Sequence, residues 1–382
     1  MHELRGAVRP YAWGSTTFLA GLQGRAVPSD GPEAELWLGA HPGDPATVEL
    51  PEGPARLDTL ISADPKATVG ERVVDEFGAR LPYLLKVLAA DAPLSLQAHP
   101  TIEQAREGYA AEQAGPGRGI YTDPNHKPEL LVALTPFAAL CGFRAPDVSA
   151  AVLTSFGLPE LAPVVAALRA GPAGLRDAVA ALLTWPEDER RELVARVVAA
   201  EPDERYAADH ALATDLAAHY PADTGVLVAL LLNHVRLEPG EAIWMPAGNL
   251  HAYLRGAGVE IMAASDNVLR GGLTPKRIEV DELLRVLRFE VLDDPVVPAE
   301  EVAPGVVRWP VPIRDFALHR VTVGGAPVTV DLAGPRIALG AAGAVTVDGL
   351  EVAPGRAGFA PAEDGPLTVA GAGVVYIASA GV

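Results

Sequence analysis

Cysteine is nearly absent from the chain. Cys141 is the single one in 382 residues, so no disulfide can form within it, and a reducing, cytoplasmic setting is expected. Lysine is scarce as well: Lys66, Lys86, Lys127 and Lys276 stand alone in an arginine-rich background. Positive charge is outnumbered, with 30 Lys and Arg against 49 Asp and Glu and a formal net charge of −19. Such a chain repels nucleic acid and anionic membranes unless a basic run intervenes, and no run of that kind is present. Neither nucleic acid nor membrane is therefore an expected partner, and an anionic ligand would need a pocket that builds its own positive potential. No apolar run reaches the length of a membrane span, the strongest being 226–232. The opening MHELRGAVRPYAWGS holds no apolar core of the kind a signal peptide needs.

What the sequence does have is turn chemistry. With 38 Gly and 35 Pro among 49% hydrophobic residues, many short strands are expected. The organising stretch is 237–276. Ala242, Ile243, Trp244 and Met245 suit a buried strand, Pro246-Ala-Gly-Asn249 is a turn, and the chain returns through His251 and Tyr253 on one face. A second polar face appears in 94–99, where Ser95, Gln97 and His99 alternate with Leu94, Leu96 and Ala98. Such a strand lines a cavity with its polar side. Lys86, inside the apolar run 84–88, must either reach a pocket or bear a desolvation cost. His126 and Lys127 crowd with Glu129 at the start of another strand. His41, before a proline, reads as a loop histidine.

The period changes over 146–219. Leu175, Val179, Leu182 and Leu183 fall at helical spacing, as do Leu193, Val197 and Val198, so this segment reads as an all-helical insertion in which His210 and His219 lie on the surface. The glycine-rich 115–119 lacks the Lys-Ser/Thr pair of a phosphate loop. Residues 289–310, rich in Pro and acid, read as a linker, and short strands resume over 311–382. Within them Pro354-Gly-Arg-Ala-Gly-Phe-Ala-Pro361 repeats the spacing of Pro239-Gly-Glu-Ala-Ile-Trp-Met-Pro246, with no histidine after it. A second barrel without a metal site follows from that echo.

Gln97, His99, Glu129 and His251 would supply an amide oxygen, two imidazoles and a carboxylate. Two His and one carboxylate suit a catalytic zinc with an open position, and equally a non-haem iron. The spacing around His251 resembles the second metal motif of the cupin barrels. Taken together, SLQAHP (95–100), DPNHKPEL (123–130), TPFAALCGFR (135–144), PGEAIWMPAGNLHAYLRG (239–256) and SDNVLRGGLTPK (265–276) resemble the signature blocks of the type I phosphomannose isomerase family, in the family's order.

The resemblance implies a fold that is mainly β with α. It has a cupin (jelly-roll β-barrel) catalytic domain over 1–145 and 220–288, interrupted by a helical insertion domain over 146–219. A degenerate C-terminal cupin-like barrel without metal ligands follows over 289–382. The resemblance further implies a zinc-dependent aldose–ketose isomerase acting on a small-molecule sugar phosphate, with one Zn²⁺ per chain on Gln97, His99, Glu129 and His251, and a monomer is expected. Arg270 falls on the family's catalytic arginine. For the base that moves a proton between C1 and C2, Asp266, Glu260, Lys276 and a water on the metal stay open, with Lys127 as a proton-transfer partner or a phosphate contact. Lys86 and Ser95 are expected to hold the phosphate, and Tyr253 and His126 to line the substrate site. A non-catalytic sugar-phosphate-binding cupin and an iron cupin oxygenase are the rival readings.

Overall fold

The computed structural model describes all residues except 116, 118 and 202, so two positions of the glycine-rich loop lie outside the described residues. The strands of the described residues form two sheets of eleven. One carries the site. Its main path runs Val296–Val297, Ala242–Met245, Glu129–Ala133, His251–Ala263, Tyr83–Ala90, Glu35–Gly39 and Ala7–Arg9, with Leu96–Ala98, Phe137–Phe143, Leu232–Leu237 and Leu269–Gly272 paired beside it. The other sheet gathers the C-terminal strands. It also takes in His2–Arg5, Thr47–Leu50 and Gly53–Arg56, because His2–Arg5 pairs antiparallel with Ala357–Ala360.

An apolar core lies between the sheets. Leu36, Leu38, Leu85, Val87, Val259 and Ile261 meet Ile337, Leu339, Phe359 and Tyr376 there. This explains the lysine inside an apolar strand. Leu85 and Val87 face the inter-sheet core, and period two turns Lys86 to the opposite, inner face of the site sheet.

The segment 146–219 is helical throughout its regular elements: Pro146–Ser155, Ala162–Arg169, Leu175–Leu183, Arg190–Ala199 and Ala207–His219. Leu175, Val179, Leu182, Leu183, Leu193 and Val197 are buried, as their spacing predicts, in an apolar cluster that continues into Leu96, Ala98, Ala252 and Leu254. The apolar side of the strand carrying Gln97 therefore packs toward the helices, which leaves its polar side for the barrel interior. His219 is exposed, but His210 is not a surface residue: it is half-buried and its Nε2 meets the Val198 carbonyl oxygen at 3.0 Å.

Residues 289–310 are not a plain linker. They hold Val296–Val297, Glu300–Ala303 and Val306–Arg308, each paired to a neighbouring strand. The acidic Glu300 and Glu301 sit exposed at the sheet edge, where charge discourages pairing with a further chain. The echo between 239–246 and 354–361 is structural: Ala242–Met245 and Ala357–Ala360 are strands at the same offset, and Gly240 and Gly355 before them both take positive φ, 94° and 71°.

Candidate metal centre and active site

Cross-strand register assembles the site. His251 lies opposite Gln97, and Gln97 lies opposite Arg270, so three antiparallel strands carry these residues in one row on one face. A second row joins Glu260, Lys86 and Trp37. Both rows draw on the single strand His251–Ala263. The register of that strand slips between Tyr253 and Arg255, and Gly256 takes φ 116°. Without a slip, residues 253 and 260 would point to opposite faces. The bulge brings them to the same face, and the Tyr253 hydroxyl donates to Glu260 Oε1 at 2.7 Å.

His99, Glu129 and His251 are buried, and one donor atom from each lies within 4.8 Å of the others. His99 Nε2 is 3.4 Å from Glu129 Oε1, and His251 Nε2 is 3.2 Å from Glu129 Oε2. Each histidine faces a different oxygen of Glu129, and with one donor atom from each residue the three lie close enough together to share a single metal ion. The rings are aimed from behind. His99 Nδ1 bonds the Asn267 carbonyl oxygen at 2.8 Å and His251 Nδ1 that of Asn249 at 3.1 Å, which leaves both Nε2 atoms with their lone pairs toward the cluster. His99 Nε2 is buried with no hydrogen-bond partner among the described residues. The donor set fits a divalent metal.

Gln97 turns its Nε2 to Ser95 Oγ at 3.3 Å, so its amide oxygen remains as the acceptor in the row. Burial pushes the His99 imidazole down to about 4 against the pull of Glu129. Burial alone would raise Glu129, but Lys127, His99 and His251 outweigh it and hold the carboxyl well below its ordinary range. Lys127 Nζ stands 2.9 Å from Glu129 Oε1.

The other expected site residues divide. Lys86 Nζ is 3.0 Å from Glu260 Oε2 and 3.4 Å from Glu35 Oε1. Burial would lower its pKa, yet Glu260, Glu35 and Glu129 raise it, so it stays protonated. Its ammonium is shared between two carboxylates rather than left free for an anion. Arg270 is half-buried, which lowers its pKa, and its guanidinium forms no ion pair or hydrogen bond among the described residues. Lys276 is exposed and its side chain is likewise without an ion-pair partner there. His126 is drawn away from the cluster, with Nε2 3.0 Å from both oxygens of Asp315. Asp266 is half-exposed and bonded to His41, whose Nε2 lies 3.1 Å from its Oδ2.

Several residues escape the sequence pattern. His41 sits in a loop, as read, but it is buried and bonded rather than idle. Glu35 takes the Trp37 indole N–H at 2.7 Å and shares Lys86. Their alternation in Glu35-Leu-Trp37 was the available signal. Asn267, wholly buried, donates to the Asp123 and Asn125 carbonyls and accepts from the Thr122 N–H, so it ties the loop before Lys127 to the ring of His99.

The chain is similar to known proteins along its whole length. The family model of the phosphomannose isomerase type I catalytic domain matches residues 1–146. Mannose-6-phosphate isomerase of Escherichia coli K12 is 36% identical over 98% of both chains, and that of Salmonella typhimurium 35% over 98% of both. Among solved structures, a point mutant of the Salmonella typhimurium phosphomannose isomerase superposes with a TM-score of 0.92 at 33% identity over the whole of both chains. A zinc-bound mannose 6-phosphate isomerase superposes at 0.91 and 32% identity, covering 100% of this chain and 99% of that one. The chain belongs to the type I phosphomannose isomerase family.

Proposed function

We propose that this chain is a zinc-dependent aldose–ketose isomerase that interconverts mannose 6-phosphate and fructose 6-phosphate through an enediol(ate). The observation that carries the reading is the His99–Glu129–His251 cluster, whose His99 Nε2 has no hydrogen-bond partner among the described residues and whose His251 stands in one row with Gln97 and an Arg270 that has no carboxylate partner there. His99, Glu129, His251 and the Gln97 amide oxygen would hold the ion. Bound there, zinc supplies a Lewis-acidic positive centre that polarises the oxygens at C1 and C2.

The chain's own groups do the rest. Arg270 stays protonated and offsets the negative charge that grows on the substrate oxygens; it is not a base. Of the base candidates, Glu260 is committed to Lys86 and Tyr253, and Lys276 lies exposed beyond the strand Leu269–Gly272. Asp266 is half-exposed, ionised, and close enough to Lys127 and Lys86 for both to lower its pKa after the His41 hydrogen bond. We assign it the carbon-bound proton.

The phosphate is assigned to the mouth. Leu96–Ala98 and Leu269–Gly272 run antiparallel, so the residues before Leu96 and those after Gly272 share one end of the pair. Ser95 directly precedes the first strand at that end and Lys276 follows the second by four residues, while Arg270 lies opposite Gln97. A dianion that approaches a chain of −19 needs cations not already neutralised, and Arg270 and Lys276 meet that requirement where Lys86 does not. The chain is further proposed to work as a cytoplasmic monomer. Among the described residues no helix is long and apolar enough to cross a membrane, and the exposed large hydrophobics, Val8, Tyr11, Val27, Val148 and Val302, are scattered along the chain.

A coupled assay of fructose 6-phosphate formation tests the reading. Metal-replete protein should turn over mannose 6-phosphate, lose activity with a chelator and regain it with zinc. A metal-replete protein that leaves mannose 6-phosphate unchanged would sink the isomerase and favour a binding protein, and stoichiometric iron would favour an oxygenase.

A further inference from the structure

His41 is the least expected side chain near the site. It follows the strand Glu35–Gly39 and its ring is buried edge-on against Trp37, centroids 4.9 Å apart. The Gly43 backbone N–H donates to Nδ1 at 3.2 Å. Nδ1 is therefore an acceptor, the ring proton sits on Nε2, and Nε2 donates to Asp266 Oδ2 at 3.1 Å. Asp266 is fixed a second time through its own backbone N–H, which Asp123 Oδ2 accepts at 2.9 Å. Its Oδ1 makes no hydrogen bond among the described residues. One carboxylate oxygen is thus tied down by a neutral donor, and the other is left open.

We propose that His41 is a positioning residue for Asp266: it anchors Oδ2 and so presents Oδ1 to the carbon-bound proton of the sugar. This rests on the isomerase reading and on Asp266 as its base. The arrangement inverts the familiar order in which a carboxylate orients a histidine; here a histidine locked in one tautomer orients the carboxylate. The hydrogen bond from His41 is also the leading cause that lowers the Asp266 pKa, with Lys127 and Lys86 adding to it and burial opposing. The charged and titratable groups around Asp266 are His41, Lys127, Lys86 and Asp123, with Arg80, Asp58 and Tyr83 lining the same cavity of about 350 Å³ beside the pair. Among these, His41 is the side chain that bonds the Asp266 carboxylate.

The test uses the zinc-loaded full chain. His41→Leu removes the donor at similar volume. It should lower kcat about 10- to 100-fold, with KM and zinc content little changed, and move the acid limb of the kcat/KM profile to higher pH. His41→Gln, whose amide reaches roughly where Nε2 stands, should restore most of kcat and return the acid limb. In an Asp266→Asn background His41→Leu should cost nothing further, because the two act as one unit. A ¹³C titration of the Asp266 carboxyl should show a higher pKa in His41→Leu whether or not turnover is followed. A wild-type kcat and acid limb in His41→Leu would overturn the proposal, as would a His41→Gln variant no better than the Leu variant, independent losses in the double variant, or an unmoved carboxyl titration. Each of these leaves wild-type turnover intact and so is distinct from a failure of the isomerase reading.

Discussion

Lys86 and Lys276 show how much a side chain's surroundings decide what its charge can do. Lys86 is buried between Glu260 and Glu35, whereas Lys276 is exposed with no ion-pair partner among the described residues. Removing one partner of a buried ion pair costs about 3–5 kcal/mol, because it leaves a charge with neither water nor counter-ion. Lys86→Met should therefore lower the melting temperature, with a Glu260→Gln change in the same chain recovering part of the loss. Lys276→Ala should leave the melting temperature alone and raise KM for mannose 6-phosphate about tenfold, near the lower end for a charged hydrogen bond at an exposed mouth. Thermal melts and KM values measured on the same two variants check the contrast, and the opposite pattern would return the phosphate to Lys86. At this scale the sequence is informative where period two operates. Ser95, Gln97 and His99 share a face because alternate residues must. It says little about His41 or Asp315, whose partners Asp266 and His126 lie on distant segments and follow no spacing rule.

Elements carry these residues to one another, and the strand Leu269–Gly272 is the one that places Arg270. Its end is seated against the start of the helix Gly225–Ala229. A Cβ on Gly272 would come 2.5 Å from the Gly225 Cα, and Gly272 takes φ 128°, a conformation that side-chain-bearing residues rarely adopt. Gly272→Ala should cost about 2–4 kcal/mol, from backbone strain together with the clash, and should lower kcat by displacing Arg270. Denaturant unfolding and a rate measurement on the soluble variant check this, and wild-type values of both would show that strand and helix separate freely. The helices of 146–219 were legible because their apolar residues recur at 3.6 and bury one stripe. The strands within 289–310 were not, since Glu300–Ala303 is exposed along its length and owes its conformation to pairing with Val306–Arg308 rather than to its own pattern.

Across the whole molecule, the two sheets are joined by the chain's own beginning. His2–Arg5 lies in the C-terminal sheet and Ala7–Arg9 in the site sheet, so the step at Gly6 links both. The echo of 239–246 in 354–361 made a second set of strands legible, but not that residues from the first sixty would complete their sheet. This second sheet has its own titration. His319, on the strand Ala317–Gly324, is buried, its Nδ1 has no partner among the described residues, and burial together with the nearby Arg308 cation pushes it down to about 4. In the unfolded chain a histidine titrates near 6.5. Above that pH both states are neutral at this position and its full contribution to stability is present. As the pH falls from about 6.5 to about 4 the unfolded state takes up a proton that the folded state refuses, so stability declines by at most about 1.4 kcal/mol per pH unit. Below about 4 both states are protonated and the decline from this group ends. His319→Gln removes this slope. The stability lost between pH 7 and pH 4.5 should therefore be smaller in the variant than in the wild type, and any acid loss of the metal, common to both proteins, cancels in the comparison. Parallel denaturant titrations at those two pH values measure the difference, and equal losses in the two proteins would mean that the His319 ring is already protonated in the folded state.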